Sequence, residues 1–106
     1  DTCFYIRSTG KDGQGSNLVL TVDTIDLYFP EKYGIYNIQA KEFAGDSASN
    51  LAQQFTYKAS DQSFTSKLHP DKTMFEGANG NLITYEGLAM NQQKFVYYKN
   101  SKAIVN

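Results

Sequence analysis

Apolar and polar residues alternate in short runs along most of the chain, and the runs are closed by Gly, Pro, Asn, Asp or Ser. Nowhere do apolar residues hold the i, i+3, i+4, i+7 spacing of an amphipathic helix over three turns. The pattern predicts strands over 4–8, 18–22, 34–43, 55–57, 64–68, 73–76, 82–86, 95–98 and 103–106, with one short helical turn over 50–54. Loop signals fall between them. Gly10, Gly13 and Gly15 permit the positive φ of a tight loop. Pro30 cannot donate to a ladder, which makes the apolar stretch 23–33 a strand end and a loop. His69-Pro70-Asp71-Lys72 reads as a turn. Asn79-Gly80 is the strongest hairpin signal, because both central positions of a type I′ turn take φ above zero.

Length and composition narrow this to one all-β domain over 1–106. A chain of 106 residues has room for a single hydrophobic core. Eight Tyr and seven Phe, with no Trp, suit half-buried pleated surfaces. The net charge of −1 gives no broad field for nucleic acid or an anionic membrane, and Arg7, alone among ten basic residues, is an arginine. No apolar run nears the roughly 20 residues that a bilayer-spanning helix needs, so membrane insertion is not expected. The opening Asp1-Thr2-Cys3 reads as that of a processed, secreted chain. A single Cys makes no internal disulfide, and no Cys/His cluster is spaced to hold a metal; no cofactor is expected. Cys3 has two readings, a small buried thiol at the start of the first strand and an interchain disulfide.

The strongest organising feature is a repeat. Gln53-x-Phe55-x-Tyr57 returns as Gln93-x-Phe95-x-Tyr97, an offset of about 40 residues, the size of one supersecondary unit. Aromatics, a polar turn and a terminal large apolar residue, Phe64 or Ile104, align behind it without gaps. The units run over about 4–60 and 61–100, and 101–106 opens a further one. The first unit is longer, with extra residues around 11–16 and 24–33, and such loop length costs little. These residues resemble the ricin B-type β-trefoil family, whose repeats each close on a Gln-x-aromatic motif. Gln53-Gln54-Phe55 and Gln93-Lys94-Phe95 stand where that family has Gln-x-Trp. The resemblance implies a β-trefoil-like fold, with the rest of the third unit supplied by another chain or lying beyond this boundary. The alternative is a two-motif Greek-key β-sandwich of the βγ-crystallin kind, to which Ile38-x4-Phe43-x-Gly45 and Phe75-Glu76-Gly77 bear a partial likeness.

Catalysis is not expected. His69, the only His, sits beside Pro70 and reads as an exposed turn residue; any Ser–His–acid chemistry would have to use it. A ribonuclease-like set of His69, Glu76 or Glu86, and Arg7 is chemically complete, but no spacing selects it. Asp23 with Asp26, or Glu76 with Glu86, would need a cleft that a chain of this size rarely frames. Sugar binding suits the composition better, because a sugar's C–H face stacks on an aromatic ring while carboxylates and amides take its hydroxyls. The lectin resemblance implies an acid after each unit's second strand, an aromatic near its third and an amide near the Gln motif. The matching residues are Asp23, Tyr36 and Asn50 in the first unit, and Glu76, Tyr85 and Asn91 in the second. Gln53 and Gln93 themselves are expected to tie each corner to backbone groups. The expected role is a secreted lectin-like module; the alternative is a structural or assembly protein, one subunit of a larger extracellular complex, with a small toxin or effector third. The partner is then a glycan or another protein chain, in a homo- or hetero-oligomer, and not nucleic acid.

Overall fold

A computed structural model describes residues 3–8, 17–87, 90–98 and 103–105. The strands are β1 (Cys3–Phe4), β2 (Leu18–Asp26), β3 (Tyr36–Glu42), β4 (Phe55–Lys58), β5 (Ser63–Ser66), β6 (Thr73–Glu76), β7 (Leu82–Tyr85), β8 (Val96–Tyr98) and β9 (Ala103–Val105). Short 3₁₀ turns at Leu51–Gln53, Ala78–Gly80 and Asn91–Gln93 precede β4, β7 and β8. The all-β class expected from the alternation is therefore observed.

Seven strands form one antiparallel sheet in the order β1-β4-β5-β6-β7-β3-β2, and β8 pairs with β9 in a second ladder. The large sheet does not end at β1. The residues that continue β1 bond to β2 at the opposite edge, where Ser8 N–H donates to Leu18 O and Leu20 N–H to Ile6 O, each at 2.9 Å. Arg7 bridges Val19. The sheet thus curls back on itself, and its inner face encloses Val22, Ile38, Phe55, Phe64, Met74 and Phe95. Phe4, Ile6, Leu20, Tyr36, Tyr57, Leu82 and Ile104 pack against that core, half-buried.

Local chemistry explains most element ends. Asn79 and Gly80 take φ of 63° and 75°, as the hairpin signal requires, and Gly77 N–H closes the β6–β7 turn on Asn81 O at 2.7 Å. β5 stops at Ser66, short of the expected 68, because the Ser66 hydroxyl accepts the N–H groups of Leu68 and His69 at 3.1 and 3.0 Å and turns the chain. β2 runs four residues further than expected, to Asp26, through a bulge: Val22 faces Ile38 and Asp26 faces Tyr36, so β2 carries extra residues between them. Along β1 the alternation sends Phe4 inward, edge-on to Phe64, and leaves Cys3 exposed. The buried-thiol reading of Cys3 is thereby corrected. The glycine loop at 10–15 and the end of the last expected strand, Asn106, lie outside the described residues.

Candidate functional site

The glutamines of the repeated motif are structural. Gln53 is 3% exposed. Its Nε2 donates to Thr21 Oγ1 at 3.1 Å and Glu42 O at 2.9 Å, while its Oε1 accepts from Ala44 N–H and Asn50 Nδ2, both at 2.9 Å. Gln93, 2% exposed, has a like setting. Its Nε2 donates to Thr73 Oγ1 at 2.9 Å and Gly87 O at 2.6 Å, and its Oε1 accepts from Met90 N–H at 3.4 Å. Each amide thus fastens the turn before β4 or β8 to a threonine of β2 or β6. Asn50 belongs to this corner, since its Nδ2 also donates to Gly45 O at 2.8 Å.

The three residues expected to form a first binding site therefore part company. Asp23 lies on the β2 bulge, its side chain about a quarter exposed, with Lys41 Nζ at 3.5 Å from one oxygen and Gln39 Nε2 at 3.5 Å from the other. Gln39 and Lys41 come from the adjacent strand β3, opposite Thr21 and Val19. Asp23 and Lys41, with Thr24, Ile25 and Ala52, border a shallow depression of about 400 Å³. Tyr36 is not free to stack on a ligand with both faces, because His69 covers one of them, ring on ring at 3.6 Å and 7°. His69 Nε2 lies 3.2 Å from Asp23 O. His69 is thus a half-buried tie between its turn and β2, rather than an exposed turn residue.

In the second set, Tyr85 is 37% exposed and leans on Phe75 at 5.3 Å. Asn91 is exposed at the start of its turn, and Glu76 faces a separate cavity on the inner side. The second set forms no common site in this arrangement.

The aromatic surface lies where the chain was expected only to loop. Tyr28, Phe29 and Tyr33 are 50%, 67% and 62% exposed, with Ile25 and Leu27 beside them in sequence. Tyr28 and Tyr33 meet edge-to-face at 5.6 Å. Apolar residues around a proline, in a stretch that cannot be a central strand, were the signal that marked this loop.

Asp26 anchors the loop. Its buried carboxylate accepts Tyr28 N–H at 2.8 Å and Ile35 N–H at 3.3 Å, and Gly34 N–H as well. Leu27 N–H donates to Ile35 O at 2.7 Å across the loop's base. Gly34 takes φ of +74°, which favours glycine, and a Cβ there would displace only the flexible end of Lys72, whose Nζ lies 2.8 Å away. Burial on its own would raise the Asp26 pKa, but the three backbone N–H groups and the Lys72 ammonium outweigh it, and the pKa is lowered. A carboxyl lowered on folding stabilises the native state above its unfolded pKa of about 4, and that contribution is lost as the pH falls through the lower folded value. Acid titration is therefore expected to loosen this loop below about pH 4, read as a change in tyrosine fluorescence, and Asp26→Asn is expected to abolish that step.

Among the described residues no three His, Cys, Asp or Glu side chains gather as a metal site, and no helix is long and apolar enough to cross a membrane. Comparison with family models, with curated proteins and with solved structures returns no match for this chain.

Proposed function

We propose that this chain is a carbohydrate-binding module of the exported kind, and that it binds through the Asp23 depression and the aromatic loop that follows it. One observation carries the reading: residues 23–33 combine an accessible carboxylate, held between an ammonium and an amide, with three exposed aromatic rings. A carboxylate takes two neighbouring hydroxyls, Gln39 and Lys41 add donors, and a tyrosine ring offers a face for the sugar's C–H groups. The Asp26 bonds hold the loop in shape before a ligand arrives, which lowers the ordering cost of binding.

A trefoil-like architecture is part of the proposal. Its support is the recurrence of pairings: β1 and β5 both pair with β4, β2–β3 and β6–β7 are hairpins, and a buried Gln precedes β4 and β8. The test is a glycan array followed by titration of any sugar retained. Asp23→Ala and Tyr33→Ala are each expected to weaken binding about tenfold or more, the loss of roughly 1.4 kcal/mol that one charge-assisted contact or one stacked ring supplies. A folded chain that retains no glycan would refute the reading. An assembly role is the second reading, favoured by an apolar recess of about 250 Å³ lined by Ile6, Leu20, Met74, Leu82, Phe95 and Ile104.

A further inference from the structure

The loop over 27–35, which joins β2 to β3, exposes apolar groups that a sugar has no use for. Phe29 at its tip, Pro30 after it, Leu27 before it and Ile25 near the end of β2 are all exposed, and none has a side chain that can hydrogen-bond.

The main chain of the tip is bonded to itself. Phe29 N–H donates to Asp26 O at 3.0 Å and Glu31 N–H to Tyr28 O at 2.8 Å, while Pro30 between them has no N–H. Tyr28, Gly34 and Ile35 give theirs to the Asp26 carboxylate, and Leu27 gives its own to Ile35 O. The tip therefore keeps no backbone donor for the hydroxyls of a sugar or for the main chain of a protein. Groups paired in this way tolerate a medium that offers no partner, which is the demand that hydrocarbon makes.

The side chains around the tip suit the same medium. Tyr28 and Tyr33 are half-exposed or more, and a tyrosine, apolar in its ring and polar at its end, fits the boundary between acyl chains and head groups. Glu31 and Lys32 are the charged residues of the loop, and they cancel. A protein partner is less suited. A standard protein interface engages about 20–30 residues a side and makes about one hydrogen bond per 100–200 Å². Here there are five apolar or aromatic side chains, Ile25, Leu27, Tyr28, Phe29 and Tyr33, on a tip without backbone donors.

We propose that this tip seats in the interface of an electrically neutral lipid bilayer, with Phe29 and Pro30 against the acyl chains and the two tyrosines at the head groups. The glycan taken beside Asp23 is then the head group of a glycolipid. The assignment of the sugar rests on the glycan reading, and the seating of the tip does not. Interfacial seating needs neither a spanning helix nor a basic field, because it scales with the apolar area buried.

Phe29→Trp places one tryptophan at the tip of a chain that otherwise has none. On titration with phosphatidylcholine vesicles its emission is expected to move to the blue, and lipid brominated on the acyl chains is expected to quench it. Phe29→Ser is expected to lower partition onto the same vesicles at least about tenfold, from the apolar area lost. Its urea midpoint is expected to stay in place, because the side chain is exposed. Vesicles that also carry a glycolipid with the sugar retained on the array are expected to bind at least about tenfold more tightly, since two contacts then act on one surface. Asp23→Ala is expected to remove that gain. Emission unchanged at ~1 mM phosphatidylcholine would overturn the seating. So would partition that requires anionic lipid, or self-association that Phe29→Ser abolishes, which would assign the tip to a second copy. Glycan binding in solution without a vesicle response leaves the glycan reading intact and sinks this one. A vesicle response from a chain that retains no glycan supports the seated tip and refutes the sugar.

Discussion

Phe64→Ala is expected to lower the stability of the chain by about 3–5 kcal/mol, the cost of emptying a fully buried aromatic site. Phe64 is 2% exposed and joins β5 to three other segments. Its ring centroid lies 4.7 Å from that of Tyr57 on β4, 6.0 Å from Phe95 before β8 and 6.4 Å from Phe4 on β1. Truncation removes the common contact of all three, and the strands that carry them cannot collapse inward without breaking ladders on both sides. A loss of this size is a large share of the roughly 5–15 kcal/mol that separates a native domain from its unfolded chain. Urea unfolding followed by tyrosine fluorescence is a direct measure, since the chain has eight Tyr and no Trp. The midpoint is expected to fall sharply at an unchanged slope, and Phe64→Leu to lose less. A midpoint within experimental error of the natural chain's would show that the curled sheet does not depend on this ring.

The second large effect is expected at Gln93. Replacing it with methionine keeps much of the volume but leaves Thr73 Oγ1, Gly87 O and Met90 N–H without their amide partner in a buried corner. Thr73 Oγ1 and Gly87 O keep their bond to each other at 3.2 Å, so the loss expected is that of about one buried polar group, roughly 1–3 kcal/mol. Gln53→Met should behave alike, since Glu42 O and Ala44 N–H lose their amide partner while Thr21 Oγ1 keeps its bond to Val19 O at 3.0 Å. The comparison also separates hydrogen bonding from packing. If both methionine variants unfold at the natural urea concentration, the amides serve only as filling, and the corners owe their shape to something else.

The strands were legible because alternation and turn chemistry are local. β6 and the Asn79-Gly80 turn fall where the pattern put them, and the glutamines bond as a side chain two positions ahead of a core aromatic can. The residues of the proposed binding surface were less legible, for reasons that lie far away in sequence. Asp23 and Asp26 are the same residue type three positions apart, and only the bulge between Val22 and Asp26 decides that one faces solvent while the other is buried under the loop. Tyr36 stood out as a strand tyrosine in the expected place, but the ring that covers it belongs to His69, on a turn after β5. Tyr28 and Tyr33 became the exposed rings because Asp26 folds their loop back on Gly34 and Ile35, which no window of alternation reports. The closure of the sheet was hidden for a similar reason, since one short N-terminal segment serves two neighbours.

That segment also guards the protein against association. Cys3 reaches across half the length of the chain to Thr56, whereas the β6–β7 hairpin pairs residues as near as Glu76 and Leu82. While residues 3–8 are in place, the backbone of β4 and of the nine-residue β2 is satisfied on both sides near the seam. Lift them away, and two rows of unpaired N–H and C=O groups come into the open together, one of them on a long strand that carries Leu18, Val19, Leu20 and Val22. Such an edge is a template for other chains. The first strand is the shortest in the sheet, and it is also the seal that keeps the sheet from growing by recruiting its neighbours.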